Sequence, residues 1–236
     1  MTLRIEKIPD LEANFKKNLI DASGKKFTVV KPALNNVVSI RPPKQEYYYA
    51  SPVAKDSICY HFTAGVLTGD ISALTTQYVS VPYVVARDGT VYELFNPDFW
   101  SYHLGIGKTF SNKDRSSRTI GIEISNIGPL KLKDDGILYD IYDKGYCMAT
   151  DTDAYTKVSF RGFHYFANFT EAQYTAIKDL TLQLTQKYKI AYEFLEPAKR
   201  FEFLTSVPKK GIVTHANYRL DKSDLAPNFD FSKLAK

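Results

Sequence analysis

The chain predicts an α/β fold, a mixed central β-sheet flanked by helices with functional side chains at the strand ends. Three observations carry this expectation. Short β-branched runs alternate with helical stretches over most of the 236 residues. Arg87-Asp88-Gly89 joins two of those runs, and Asp-Gly is a hairpin signal that brings antiparallel pairing into the sheet. Hydrophobic residues are 44% and charged residues 24%, which excludes wholesale disorder and a fibrous repeat.

Residues 1–54 read as an N-terminal extension packed on a main domain of residues 55–236. A weakly helical stretch from Leu11 to Ile20 ends at Ser23-Gly24, and β-branched runs follow at Phe27–Val30 and Val37–Ile40. Arg41-Pro42-Pro43-Lys44 then suits neither a helix nor a central strand. Ser57–Phe62 is a compact strand ending in Thr63-Ala64-Gly65, and Ile71–Tyr78 is a helix with Asp70 as its N-cap. Val81–Ala86 and Thr90–Phe95 are the hairpin strands. Thr119–Ser125 alternates, with Ile120, Ile122 and Ile124 on one face and Gly121 and Glu123 on the other. Residues 128–168 are too long for an ordinary connection and read as an insertion or a functional loop. Thr170-Glu171-Ala172-Gln173 is a capping box, and Ile177, Leu180, Leu184 and Tyr188 continue its helix. Gly211–Thr214 is a last short strand, and Phe229–Leu234 a short C-terminal helix.

Net charge is +5, and the first fifty residues hold nine Lys/Arg against five Asp/Glu. That is well short of the concentrated basic face of a nucleic-acid binder, so no nucleic-acid partner is expected. No apolar run approaches the ~20 residues that span a bilayer. The first residues mix charge with apolar side chains, so no secretory signal is expected. Two cysteines, Cys59 and Cys147, make no disulfide framework. A soluble monomer is the expectation.

The chemistry rests on four histidines, His61, His103, His164 and His215. His61 closes a strand just before Thr-Ala-Gly, and His215 follows the Ile-Val-Thr strand; strand ends of an α/β sheet are where functional groups gather. Asp224 comes nine residues after His215. Two imidazoles and one carboxylate from separate loops make a three-ligand zinc site with a fourth position for water. His103 is a rival ligand. Cys59 shares a strand face with His61 and leaves a cysteine hydrolase open, although a buried thiol more often packs as a small hydrophobe. His164 and Cys147 read as structural.

In chain order, YHFTAG, VSVPYVVARDGTVYELF, WSYHLG, TIGIEIS, FTEAQ, IVTHANY and KSDLAPNFDFSKL resemble the motifs of the zinc-dependent N-acetylmuramoyl-L-alanine amidases of type 2. That group contains phage endolysin amidases, bacterial amidases and peptidoglycan recognition proteins. The resemblance runs from about Ser57 to Leu234. It implies one zinc ion held by His61, His215 and Asp224, with Glu123 handling the proton of the attacking water. It implies Lys222 as the cation facing the oxyanion, and His103 and Trp100 lining the substrate cleft. The implied reaction is hydrolysis of the amide between N-acetylmuramic acid and L-alanine, and the implied partner is peptidoglycan. A bacteriolytic, antimicrobial phage endolysin held in the host cytoplasm before acting on the wall is the expected setting. A non-catalytic recognition domain and a bacterial recycling amidase are the alternatives.

Three departures from the family pattern stand out. Thr214-His215-Ala216-Asn217 replaces Gly-His-Arg-Asp, Asp224-Leu225-Ala226-Pro227 replaces Asp-Pro-Gly-Pro, and Val81 stands where some relatives carry a catalytic tyrosine. Proton transfer therefore falls to Glu123. Tyr139, Tyr142, Tyr146 and Tyr155 read equally well as walls of a groove or as core.

Overall fold

The computed structural model describes residues 2–106 and 111–235. The chain begins with helix α1 (Arg4–Asn18), then strands β1 (Thr28–Val30), β2 (Val37–Arg41) and β3 (Ser57–Phe62). Helix α2 (Leu67–Leu74) leads to β4 (Tyr83–Val85) and β5 (Val91–Glu93), and helix α3 (Asn112–Arg118) runs into β6 (Thr119–Ile124). Strands β7 (Pro129–Leu132), β8 (Ile137–Tyr139), β9 (Gly145–Met148), β10 (Tyr155–Phe160) and β11 (Phe163–Ala167) follow. Helix α4 (Glu171–Tyr188) and strand β12 (Gly211–Thr214) complete the main elements.

Seven strands form one mixed sheet in the order β1-β2-β5-β4-β6-β3-β12. At its heart β3 runs parallel to β6 on one side and to β12 on the other. All six β3 residues are buried, as expected of a parallel strand covered on both faces. One face presents Ile58, Tyr60, Phe62, Ile120, Ile122 and Ile124 to Ile177, Leu180 and Leu184 of α4, forming the main core. The alternation leaves Cys59, His61, Gly121 and Glu123 on the other face. The capping box of α4 is complete: the Thr170 hydroxyl accepts from the Gln173 amide, and the Gln173 side chain accepts from the Thr170 amide.

The first fifty-four residues share both sheet and core with the rest. Strand β2 pairs in parallel with β5, and Phe15, Phe27, Ile40 and Tyr47 pack with Val84, Tyr92 and Phe95. Helix α1 starts at Arg4 rather than Leu11 and contains Pro9. Burial of Ile8 and Phe15 against two cores offsets the single backbone hydrogen bond that Pro9 cannot donate.

Two other expectations change. Helix α2 starts at Leu67, and Asp70 lies inside its first turn rather than capping it. The Asp70 carboxylate accepts from the hydroxyls of Ser125 (2.7 Å) and Thr63 (2.9 Å), so its oxygens are drawn away from the helix amides. Of the two readings of residues 128–168, the loop gives way to the insertion: residues 129–167 form a second, antiparallel sheet, β10-β11-β7-β8-β9. Its strands are three to six residues long. Ile8 of α1 joins Leu130, Leu138, Tyr146 and Cys147 in its core, and Arg4 pairs with the buried carboxylate of Asp140. Tyr146 is therefore core, whereas Tyr142 is 63% exposed. At the C-terminus only Phe231–Leu234 is helical, as a 3-10 turn. Among the described residues no helix is long and apolar enough to cross a membrane.

Candidate metal centre

The parallel register sets the site. His61 on β3 pairs with Glu123 on β6, and β12 delivers His215 immediately after Thr214 at the same end of the sheet. The following loop returns Asp224, tied back by a hydrogen bond from the Ala216 amide to the Asp224 carbonyl (2.8 Å). Three ligand atoms then meet. His61 Nδ1 lies 3.0 Å from His215 Nδ1 and 3.1 Å from Asp224 Oδ2, and His215 Nδ1 lies 2.8 Å from Asp224 Oδ2. All three residues are buried.

Two backbone carbonyls determine what those atoms are. His215 Nε2 faces the Leu104 carbonyl at 2.7 Å, and a carbonyl only accepts, so the His215 proton sits on Nε2. His103 Nε2 faces the Thr119 carbonyl at 3.1 Å and must likewise donate. The Nδ1 of neutral His103 is then an acceptor, and it takes the proton of His61 Nε2 across 3.0 Å. The His61 Nδ1 lone pair therefore points at the Asp224 oxygen, and the His215 Nδ1 converges on the same atom. Three electron-rich atoms converging in a buried space are a donor set for a cation. Atoms bound at about 2.0–2.1 Å to a tetrahedral zinc ion lie about 3.3 Å apart, close to the spacing seen, and His/His/carboxylate is a zinc donor set.

Titration agrees with that assignment. Burial, with a smaller push from His215, lowers the His61 imidazole to about 4 and keeps it neutral. Burial alone would raise the Asp224 carboxyl, but His215 and His61 outweigh it and hold the group well below its ordinary value. The site thus presents a neutral His61 and an ionised carboxylate.

Glu123 stands beside His61. Its Oε2 is buried with no hydrogen-bond partner, and the residue lines a cavity of about 470 Å³ with Thr63, Asp70, Arg4, Tyr142 and Lys144. Burial raises its carboxyl well above the ordinary range, Asp224 and Asp70 add to the rise, and the charge of Lys222 opposes it. The same Lys222 charge acts on His61, so the half-buried lysine lies within charge range of both groups.

The other residues singled out by sequence lie outside the three converging ligand atoms. Both ring nitrogens of His103 are engaged, one by His61 and one by Thr119, so it stands behind His61 rather than among the converging ligand atoms. Trp100 is 7% exposed, stacked on Tyr49 at 4.3 Å and edge-on to Tyr102, so its ring is occupied in packing. Burial, Asp224 and Glu123 all push the Cys59 thiol up, which leaves it protonated and a poor nucleophile. His164 pairs with the Ser159 hydroxyl on the second sheet. The carbonyls of Thr119 and Leu104 and the Thr63–Asp70–Ser125 cluster were missed by sequence reasoning. A Cβ on Gly121 would come within 2.4 Å of Val81 Cγ1 and 3.0 Å of His103 Nδ1. Gly121→Ala is therefore expected to destabilise the fold by about 1–3 kcal/mol, as overpacking does, and to lower Tm in a thermal melt.

Several solved structures are similar to this chain. The N-acetylmuramyl-L-alanine amidase AmiD from E. coli, in complex with anhydro-N-acetylmuramic acid-L-Ala-D-gamma-Glu-L-Lys, is 21% identical with a TM-score of 0.52. The match covers 78% of this chain and 58% of AmiD, so the chain spans somewhat more than half of that protein's length. AmpDh3 from Pseudomonas aeruginosa is 18% identical over 78% of this chain and 60% of its own, with a TM-score of 0.48. The endolysin amidase LysCS from Clostridium intestinale is 14% identical over 86% and 95%, with a TM-score of 0.45. Comparison with curated proteins gives no match. The model of the family described as N-acetylmuramoyl-L-alanine amidase matches residues 50–227, a stretch that includes both histidines, the aspartate and Glu123, and the chain belongs to that family.

Proposed function

We propose that the chain hydrolyses the amide between N-acetylmuramic acid and L-alanine in peptidoglycan, with one zinc ion held by His61, His215 and Asp224. The observation that carries this reading is the convergence of two Nδ1 atoms and a carboxylate oxygen on one buried point beside Glu123, with both outer Nε2 atoms held by hydrogen bonds. Zinc, when bound, brings the pKa of a ligated water from 15.7 to near 7 and polarises an amide carbonyl. Glu123 accepts the proton of the attacking water and delivers it to the departing nitrogen. Its raised pKa suits both halves of that transfer. Lys222 stabilises the oxyanion. His103 orients His61, and removing such a partner typically costs 10–100-fold in metal affinity. His103→Phe is therefore expected to weaken zinc binding by about that factor, measured by chelator competition.

The cavity beyond Glu123 is the proposed seat of the muramyl peptide. Among the described residues the Lys144 ammonium forms no ion pair, and it lines this cavity with Tyr142, so it is free to meet an acidic group of the stem. The donor set is complete, which favours an enzyme over a recognition domain without catalysis. We place the activity in a phage endolysin that gathers in the host cytoplasm and then attacks the wall. A recycling amidase would use the same chemistry on soluble fragments.

The test is to incubate the protein with purified sacculi and, separately, with a soluble muramyl peptide, and to follow free L-alanine amino termini by mass spectrometry. Release that stops on chelation and returns with zinc supports the reading. Turnover of the soluble fragment alone favours recycling. Binding without release, or activity lost to thiol alkylation but not to chelation, overturns the zinc amidase.

A further inference from the structure

The second sheet reaches the loop between His215 and Asp224 through Arg161. Strands β10 and β11 are joined by Arg161 and Gly162, with Phe160 and Phe163 as the closing pair. Both turn residues have positive φ, 47° and 84°, as a two-residue type I′ hairpin requires. That turn favours Asn, Asp or Gly at its first position, and an arginine there has a Cβ that resists the left-handed region. The side chain accounts for its presence. Its guanidinium donates to four backbone carbonyls, those of Arg219 (2.6 Å), Lys222, Ala216 (3.0 Å) and Phe201 (3.4 Å). Ala216 directly follows His215, and Lys222 stands two residues before Asp224.

We propose that Arg161 is a positioning residue for the metal centre, a latch that holds both ends of the 216–222 segment so that Lys222 and Asp224 keep their places beside His215. Guanidinium offers five donors in a rigid plane, which suits four acceptors gathered from two segments of chain. The 216–218 end is also held by Asn217, whose side chain donates to the Lys199 and Glu202 carbonyls and whose carbonyl accepts from the Leu204 amide. In the 219–222 end, by contrast, the Arg219 amide donates to the His215 carbonyl and the Arg219 side chain pairs with Asp221. The second sheet is thereby a working part of the site. This inference rests on the metal-binding reading above.

The test compares wild type with Arg161→Asn, which tolerates the turn but is too short to reach, and Arg161→Lys, whose single ammonium cannot serve four carbonyls. Zinc Kd is measured by chelator competition, and amide exchange is followed over residues 216–224. R161N is expected to bind zinc about 10–100-fold more weakly, as loss of an outer partner does, with faster exchange confined to 216–224 and kcat falling more than KM changes. R161K should lie between. Wild-type zinc affinity and exchange in R161N would overturn the proposal. Should R161N fail to fold, R161K decides, and wild-type values in that variant overturn it equally. If wild type itself binds no zinc, the metal reading fails on its own, and the exchange comparison still judges the latch.

Discussion

Glu123→Gln is expected to keep one zinc per chain and to lose about 10²–10⁴ of kcat, the range a positioned general base contributes. The separation follows from the geometry. The converging ligand atoms belong to His61, His215 and Asp224, whereas Glu123 stands on the neighbouring strand with a buried oxygen that no protein group satisfies. Glutamine fills the same space but cannot take up a proton. Zinc content by atomic absorption and kcat on a soluble muramyl peptide check the two halves separately. Near wild-type turnover would mean the base has been misassigned, and loss of zinc would make Glu123 part of the donor set.

Asp224→Ala is expected to abolish stoichiometric zinc binding and activity together. Neutral imidazoles alone lack the one anionic donor that offsets the ion's charge. The effect is also visible in stability. A ligand at 1,000 times its Kd stabilises by about 4 kcal/mol, so zinc should raise the Tm of wild type and leave that of D224A unmoved. An equal rise in both would place the metal elsewhere. The metal-free protein carries a pH signature of its own. His61 titrates near 4 when folded against about 6.5 unfolded, so the unfolded chain takes up its proton first as pH falls. The contribution of neutral His61 is complete above about pH 6.5 and is lost between there and about pH 4, for roughly 3 kcal/mol. Denaturant melts across that window, compared with His61→Gln, isolate it; equal slopes for the two proteins would contradict the buried neutral imidazole.

What sequence could reveal depended on whether a residue's partner was near or far in the chain. Strands β3 and β12 were readable end to end, because a strand covered on both faces is a short apolar run. The α4 start was equally plain, since a capping box is written in four consecutive residues. The α2 start was not, because Asp70 answers to Thr63 and Ser125 rather than to its own helix. His61, His215 and Asp224 were picked out by motif and do meet in space. The features that orient the two imidazoles, the carbonyls of Thr119 and Leu104, have no letter in a sequence. Arg161 was passed over for the same reason, since all four of its partners are main-chain oxygens.

The outer position of β1 and β2 has a practical outcome for anyone trimming the protein. A shortened version starting near residue 50, where the family match begins, would strip the backbone of β5 of its β2 neighbour and uncover the aromatic side chains that Phe15, Phe27 and Tyr47 now shield. A bare strand flank beside exposed rings is a template for intermolecular pairing. Such a truncation should collect in inclusion bodies even though every residue of the candidate site is retained.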